Sequence, residues 1–163
     1  LCKKINIIKN KNQILNFIKK ESKTIINNNK YLDNWKKNID LKMNKFSNII
    51  KKLKKDNKIL IGYGAPTKAV LLLNSAKLNN RYLDYIIEDN KLKQNKYLPI
   101  SGIPIFGKIM YYKVKPDVII ILAWNFADDI IKKLRKDFKR DIQIIIPLPK
   151  QKIIKILLKK YQK

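Results

Sequence analysis

The sequence is poor in the residues that form disulfides and bind transition metals. The 163-residue chain has one cysteine, Cys2, and no histidine. This composition excludes a disulfide framework, a Cys/His zinc site and a Ser-His-Asp triad built within this chain. A single cysteine also suits a reducing compartment, so we expect a cytoplasmic protein.

Long apolar runs are absent as well. The longest run, VIIILAW at 118–124, is far shorter than the ~18 to 20 residues that cross a bilayer. No signal peptide is visible, and we expect no membrane partner. The first residue is Leu1 and not methionine, which suggests a piece of a longer protein.

Acidic residues and arginines are scarce, whereas lysines are abundant. The chain has 38 Lys+Arg against 12 Asp+Glu, a formal net charge of +26, and this excess raises the question of nucleic-acid binding. However, lysine, asparagine and isoleucine crowd every segment, as A/T-rich codons would produce. No arginine–aromatic stripe stands out of that background. Nucleic acid is therefore not an expected partner.

Residues 1–57 predict a helical lead-in. The stretch LCKKINI (1–7) is compatible with a short strand, and KNQILNFIKKE (11–21) predicts a short helix. From Tyr31 to about Lys55, apolar residues recur at steps of three and four with lysines on the other face. This spacing predicts a long amphipathic helix that packs on its own domain.

From residue 58 the pattern changes to short, apolar, β-branched runs without alternation. Four of them stand at 58–64, 82–89, 116–124 and 141–149, and helix-like stretches lie at 65–78 and 126–138. Strands buried on both faces have this composition. The order predicts an α/β fold with a parallel sheet and helices on both faces over 58–149. The remainder, 150–163, is expected to form a basic C-terminal helix or tail.

The stretch KILIGYGAPTKAV (58–70) places two glycines where the first strand becomes a helix. Gly62 and Gly64 permit a tight turn and close approach of a ligand to the backbone, and Pro66 suits the first helical position. Thr67 stands where a dinucleotide fingerprint has its third glycine, although two acids, Glu88 and Asp89, end the next strand. A nicotinamide dinucleotide-binding domain is therefore only a weaker alternative.

Lys68 falls in the first turn of that helix, where the helix dipole disfavours a cation. No acidic residue occurs between Lys58 and Arg81 to offset it. Two interpretations stay open: a bound phosphate or carboxylate balances Lys68, or its side chain points into water. The acids Asp84, Glu88, Asp89, Asp128 and Asp129 form no recognisable acid/base pair and are expected at sheet ends or helix caps.

Five separated segments together carry a more specific signal. They are GYGAPTKA (62–69), EDNKLKQNKYLP (88–99), GIPIF (102–106), KPDVIIILAWNF (115–126) and IIIPLP (144–149). In this order and spacing they resemble the C-terminal domain of the S-adenosylmethionine-dependent C-methyltransferase family, which includes deoxysugar C-methyltransferases. The sequence departs from the family at Lys91, where proline is usual, and at Asn95 and Ile100, where glycine is usual.

The resemblance implies a Rossmann-like domain that follows a zinc-binding module and a methyltransferase domain. S-adenosylmethionine and zinc are implied for the full-length enzyme, neither of them bound by this segment. The implied partners are the upstream methyltransferase domain and a nucleotide-linked sugar, whose site this domain would help to wall. Alternatively, the segment is a non-catalytic binding or docking domain without a small ligand.

The candidate site lies at the carboxyl ends of the strands, where ligands of such sheets gather. Neither catalytic nor metal-binding residues are assigned. The candidate substrate-binding residues, taken from the glycine turn, the 90–97 loop and the end of the third buried run, are Gly62, Tyr63, Gly64, Lys68, Asn90, Lys93, Gln94, Tyr97, Trp124 and Asn125.

Overall fold

A computed structural model describes residues 7–22, 29–138 and 141–157. The chain divides into two compact units, Leu1–Lys42 and Met43–Lys163. Among the described residues, no helix is both long enough and apolar enough to cross a membrane.

The described part of the first unit contains two helical segments. Helix α1 spans Ile7–Glu21, and helix α2, Asn29–Lys55, begins in this unit. Both helices were expected, whereas the expected strand at 1–7 falls on residues outside the described range, apart from Ile7 in α1. None of the side chains described at 12–22 and 29–42 is buried. The exposed large apolar residues of the first unit include Ile14, Leu15, Phe17, Ile18, Leu32, Trp35 and Leu41.

The described residues of the second unit are built on one seven-stranded sheet. Its strands are β1 (Leu60–Tyr63), β2 (Tyr85–Ile87), β3 (Lys96–Tyr97), β4 (Pro104–Phe106), β5 (Val118–Ile121), β6 (Ile142–Ile146) and β7 (Lys152–Ile156). Their order across the sheet is β3-β4-β2-β1-β5-β6-β7. The five inner strands run parallel, and the two edge strands are antiparallel to their neighbours. The four predicted strands are β1, β2, β5 and β6, which confirms the α/β fold class.

Helices cover both faces of this sheet. The shorter helices are α3 (Thr67–Ser75), α4 (Met110–Lys113) and α5 (Ala127–Asp137). Alternate strand residues, such as Ile61 and Ile119, form one core with Leu134 of α5. Because strand side chains alternate between faces, the intervening buried residues point to the other side, where α3 and the end of α2 bury their own apolar residues.

Aspartates hold the amino end of the central strand from both sides. The Asp84 carboxylate, just before β2, accepts the Leu60 N–H at 2.9 Å and pairs with the Lys54 ammonium at 2.7 Å. Asp117, just before β5, accepts the Ile59 N–H at 2.9 Å. The sheet-end role expected for Asp84 is therefore confirmed.

The expected basic helix or tail over 150–163 is wrong for residues 152–156, which form edge strand β7. This strand pairs with β6 from Ile142↔Ile156 to Ile146↔Lys152. Lysines make this segment resemble a solvated helix or tail, but lysine is also typical of edge strands. Residues 158–163 lie outside the described range.

The second unit begins at Met43, within the stretch that sequence analysis assigned to the lead-in.

Candidate functional site

The carboxyl edge of the sheet has its topological switch point between β1 and β5, because the chain leaves these neighbouring strands in opposite directions. Gly64, in the turn after β1, has φ +84°, and a Cβ on it would lie 2.7 Å from the Ala123 Cβ. A Cβ on Gly62 would lie 2.7 Å from the Leu122 Cδ1. The two glycines thus permit close packing against the segment after β5.

The backbone amides of the turn are also occupied. The Gly64 N–H donates to the Ile87 carbonyl at 2.7 Å, and the Ala65 N–H donates to the Glu88 carboxylate at 2.8 Å. Pro66 has no N–H to offer. Residues 64–66 therefore offer no free N–H to a phosphate, and at Ala65 the carboxylate of Glu88, just after β2, takes that place.

Lys68 packs on an aromatic ring, an arrangement that the sequence alone did not suggest. Its ammonium lies 4.4 Å from the centroid of the Trp124 ring, and both residues are half-buried. An aromatic face attracts a cation through its quadrupole. Trp124 therefore balances Lys68, and no bound anion is needed to explain its position.

An open groove lies beside the turn, between the start of α3 and the loop after β2. This flank cleft has a volume of about 290 Å³. Its walls are mostly apolar, with two lysines and one tyrosine. It is lined by Ala65, Pro66, Thr67, Val70, Leu92, Lys93, Lys96, Tyr97, Leu98, Pro99 and Ile105. Lys93 and Tyr97 of the candidate residues thus lie in one cleft.

Two other candidates support the loop that forms this cleft. The Asn90 side chain accepts the Leu92 N–H at 3.0 Å and caps a short 3₁₀ turn at Lys91–Lys93. The Gln94 amide donates to the Glu88 carbonyl at 2.8 Å and packs on Gly107. Neither residue lines the flank cleft.

Tyr63 and Asn125 also lie outside the cleft lining. Asn125 is exposed in a 3₁₀ turn at Trp124–Phe126, whereas Tyr63 is buried and packs with α5. The Tyr63 hydroxyl donates to Asp89 at 3.0 Å, and the Lys133 ammonium donates to the same carboxylate at 2.7 Å. Burial, reinforced by the bond to Asp89, raises the pKa of Tyr63 to about 12.

Asp89 is stabilised as an anion. Burial by itself raises the pKa of Asp89, but the hydrogen bonds from Lys133 and Tyr63 outweigh burial and hold the pKa below its ordinary value. Tyr111 packs against Tyr63 at 6.5 Å between ring centroids, and burial raises the pKa of Tyr111 well above its ordinary range. These groups tie the end of β2 to α5 and do not form a nucleophile–base pair.

The departures from the family pattern have a simple conformational meaning. Asn95 and Ile100, which replace glycines, both have positive φ, +59° and +66°. Asparagine tolerates this left-handed conformation, whereas a β-branched side chain is strained in it. Lys91, which replaces a proline, is the first residue of the 3₁₀ turn. The loop around the flank cleft thus keeps a backbone shape that suits glycine and proline.

Sequence reasoning missed most of the cleft wall. Lys96, Leu92 and Pro99 belong to the segment 88–99 that had been singled out, but they were not chosen as candidates. Their signal was the alternation of lysine with apolar residues in a loop that follows a buried strand. The part played by Glu88 has no local signal, since its partner Ala65 lies on the preceding strand–helix turn.

Comparison with known proteins agrees with the resemblance drawn from these segments. Residues 2–149 match the C-methyltransferase C-terminal domain family. The chain is also 35% identical over 99 residues to the C-methyltransferase NovU of Streptomyces niveus, a match that covers 61% of this chain and 24% of that protein. The chain thus matches about a quarter of the length of this relative. With most of its length matched to the family, this chain belongs to the C-methyltransferase C-terminal domain family.

Proposed function

We propose that this chain is the substrate-facing C-terminal domain of an S-adenosylmethionine-dependent C-methyltransferase that acts on a nucleotide-linked sugar. Methyl transfer itself would belong to a catalytic domain upstream of this chain. Zinc would require ligands from outside the chain, which has one cysteine and no histidine. The methyl donor is likewise assigned upstream, because the Glu88 carboxylate fills the turn of this sheet where a nucleotide cofactor would ordinarily bind.

The flank cleft is the observation that carries this proposal. Apolar walls, including Pro66 and Leu92, suit the faces of a nucleoside base, and the exposed Tyr97 ring offers a stacking surface. The ammonium group of Lys96, which is exposed in the cleft, suits a diphosphate. The cleft thus combines the two kinds of contact that a nucleoside diphosphate requires.

The size of the cleft favours a site shared with another domain. Its volume of about 290 Å³ is at the lower limit for a small-molecule pocket, typically ~300 to 1,000 Å³. It accommodates part of a nucleotide sugar, and a second surface would be needed to enclose the rest. The exposed apolar residues of α1 and of the first half of α2, such as Phe17 and Trp35, offer a surface on which an upstream domain can dock.

Calorimetric titration with UDP and thymidine 5′-diphosphate tests the proposal, on this chain and on the enzyme encoded by the full reading frame. We expect binding in the full-length enzyme, at least tenfold weaker after Lys96→Ala. Lys132→Ala, an equal loss of charge on the exposed surface of α5, is the control and should leave the affinity unchanged. The nucleotide affinity of the Lys68→Ala variant tests whether the side of the turn next to Trp124 also contacts the ligand. Equal affinities in the Lys96 and Lys132 variants would remove the cleft from the substrate site.

A docking domain without a small ligand is the second candidate. It is favoured by the close packing of Gly64 on Ala123 and by the occupied amide of Ala65. Absence of nucleotide binding in the full-length enzyme, together with loss of methyltransferase activity on deleting this domain, would establish docking.

The nicotinamide alternative loses its basis, because Glu88 and Asp89 are both held by groups of the protein. We expect the fluorescence of NADH to stay unchanged when the chain is added.

A further inference from the structure

We propose that Glu88 is a specificity-determining residue that keeps phosphate out of the turn between β1 and α3. This inference rests on the proposed function only in taking the flank cleft as the place where an anionic ligand binds. In parallel sheets of this kind, the turn after the first strand is the usual phosphate site, because backbone N–H groups converge there at a helix N-terminus. Here the protein places its own carboxylate at that position.

The Glu88 carboxylate is firmly held. One carboxylate oxygen accepts the Ala65 N–H at 2.8 Å, and the other accepts the Asn90 N–H at 3.0 Å. Its backbone is fixed on both sides, since its N–H donates to the Phe106 carbonyl at 3.0 Å and its carbonyl accepts the Gln94 amide at 2.8 Å. The side chain is only 14% exposed. The carboxylate is therefore bonded to the turn through Ala65 and to the following loop through Asn90.

Glu88 also changes the charge of the cleft beside it. The Lys93 ammonium lies 3.9 Å from the Glu88 carboxylate and donates to the Ala65 carbonyl at 3.1 Å. Lys93 is thus directed towards the turn, and Glu88 offsets part of its charge. In the described part of the chain, Lys96 forms no ion pair, and it is the cleft lysine left to attract an anion.

The arrangement selects ligands by the position of their charge. A phosphate in the turn would lie within a few ångströms of the Glu88 carboxylate, and like charges at such a distance repel strongly in a partly buried site. A phosphate near Lys96 avoids that repulsion. We therefore infer that the anionic group of a ligand lies at the Lys96 end of the flank cleft, and that a neutral part of the ligand faces the Ala65 turn.

Titration of the complete ¹⁵N-labelled chain with pyrophosphate at physiological salt tests this inference. In the wild-type protein we expect the Ala65 amide to be insensitive to pyrophosphate. In Glu88→Gln, which keeps the size of the side chain, and in Glu88→Ala, we expect saturable shifts of the Ala65 and Thr67 amides. Pyrophosphate affinity should be at least tenfold higher than in the wild type, a gain that a merely destabilising substitution would not produce.

Asp89→Asn is the matched control. It removes the same charge one residue along the chain, but Asp89 faces Tyr63 and Lys133 and not the turn. Equal pyrophosphate affinity in the Glu88→Gln and Asp89→Asn proteins, or shifts confined to amides away from the turn, would overturn the inference. Nucleoside diphosphate binding is measured separately in the wild-type full-length enzyme. Its absence alongside a gain in Glu88→Gln would refute the proposed function and leave the role of Glu88 intact.

Discussion

Replacing Gly64 with alanine tests the close packing of the two segments that follow β1 and β5. The substitution has two separable effects. First, φ is +84° at this position, a conformation that costs an L-residue about 1 to 2 kcal/mol. Second, the new methyl group would lie 2.7 Å from the Ala123 Cβ, which is attached to the backbone and cannot rotate away. Overpacking of this kind costs about 1 to 3 kcal/mol.

We expect Gly64→Ala to lower the free energy of unfolding by about 2 to 5 kcal/mol, the sum of the two effects. Gly102→Ala isolates the first effect. Gly102 has φ +64°, and the nearest atom to an added Cβ, the Asn80 Nδ2, lies at an ordinary 3.6 Å. This control should therefore lower the free energy of unfolding by only about 1 to 2 kcal/mol.

The second effect is isolated by a double-mutant cycle with Ala123→Gly. Removing the opposing methyl group should restore part of the stability lost in Gly64→Ala, with a coupling energy of at least about 1 kcal/mol. Urea denaturation followed by far-UV circular dichroism measures all four proteins. Equal effects of Gly64→Ala and Gly102→Ala, or strictly additive effects in the cycle, would refute the close contact between the two segments.

Three further predictions concern other parts of the second unit. Ile100→Gly should raise the free energy of unfolding by about 1 kcal/mol, measured by urea denaturation, because Ile100 is 77% exposed and strained at φ +66°. By the same measurement, Asp117→Ala should lower it by about 1 to 3 kcal/mol, since the Ile59 N–H loses its acceptor, and Asp117→Asn should lower it less. Because the pKa of Tyr63 is raised to about 12 from 10.0, the folded state holds this proton more tightly than the unfolded state. The stabilisation from Tyr63 is therefore complete below pH 10 and lost as the pH rises to about 12. Tyr63→Phe should remove that part of the alkaline loss of stability in urea denaturation, and an unchanged pH profile would contradict this assignment.

The sequence predicts the central part of the fold because its signal is local. Strands β1, β2, β5 and β6 are runs of apolar and β-branched residues, as strands buried on both faces require. Strands β3 and β4 contain two and three residues, too few for any periodicity. Strand β7 was missed because its lysines fit a solvated helix as well as an edge strand, and only its pairing with β6 decides between them.

The candidate site was predicted less completely, for a related reason. Lys93 and Tyr97 were identified, and they line the flank cleft. The position of Lys68 depends on Trp124, which lies in the 3₁₀ turn after β5 and is distant in the sequence. Glu88 likewise acts on Ala65 across the sheet. Such contacts depend on the order of the strands in the sheet, which cannot be predicted from one segment of the sequence at a time.

The division into two compact units has a practical consequence for spectroscopy. The chain has two tryptophans, and Trp35 belongs to the first unit while Trp124 belongs to the second. Each unit thus carries its own natural fluorophore. Two single-tryptophan proteins, Trp35→Phe and Trp124→Phe, would show whether the units melt together or one after the other without attachment of any dye.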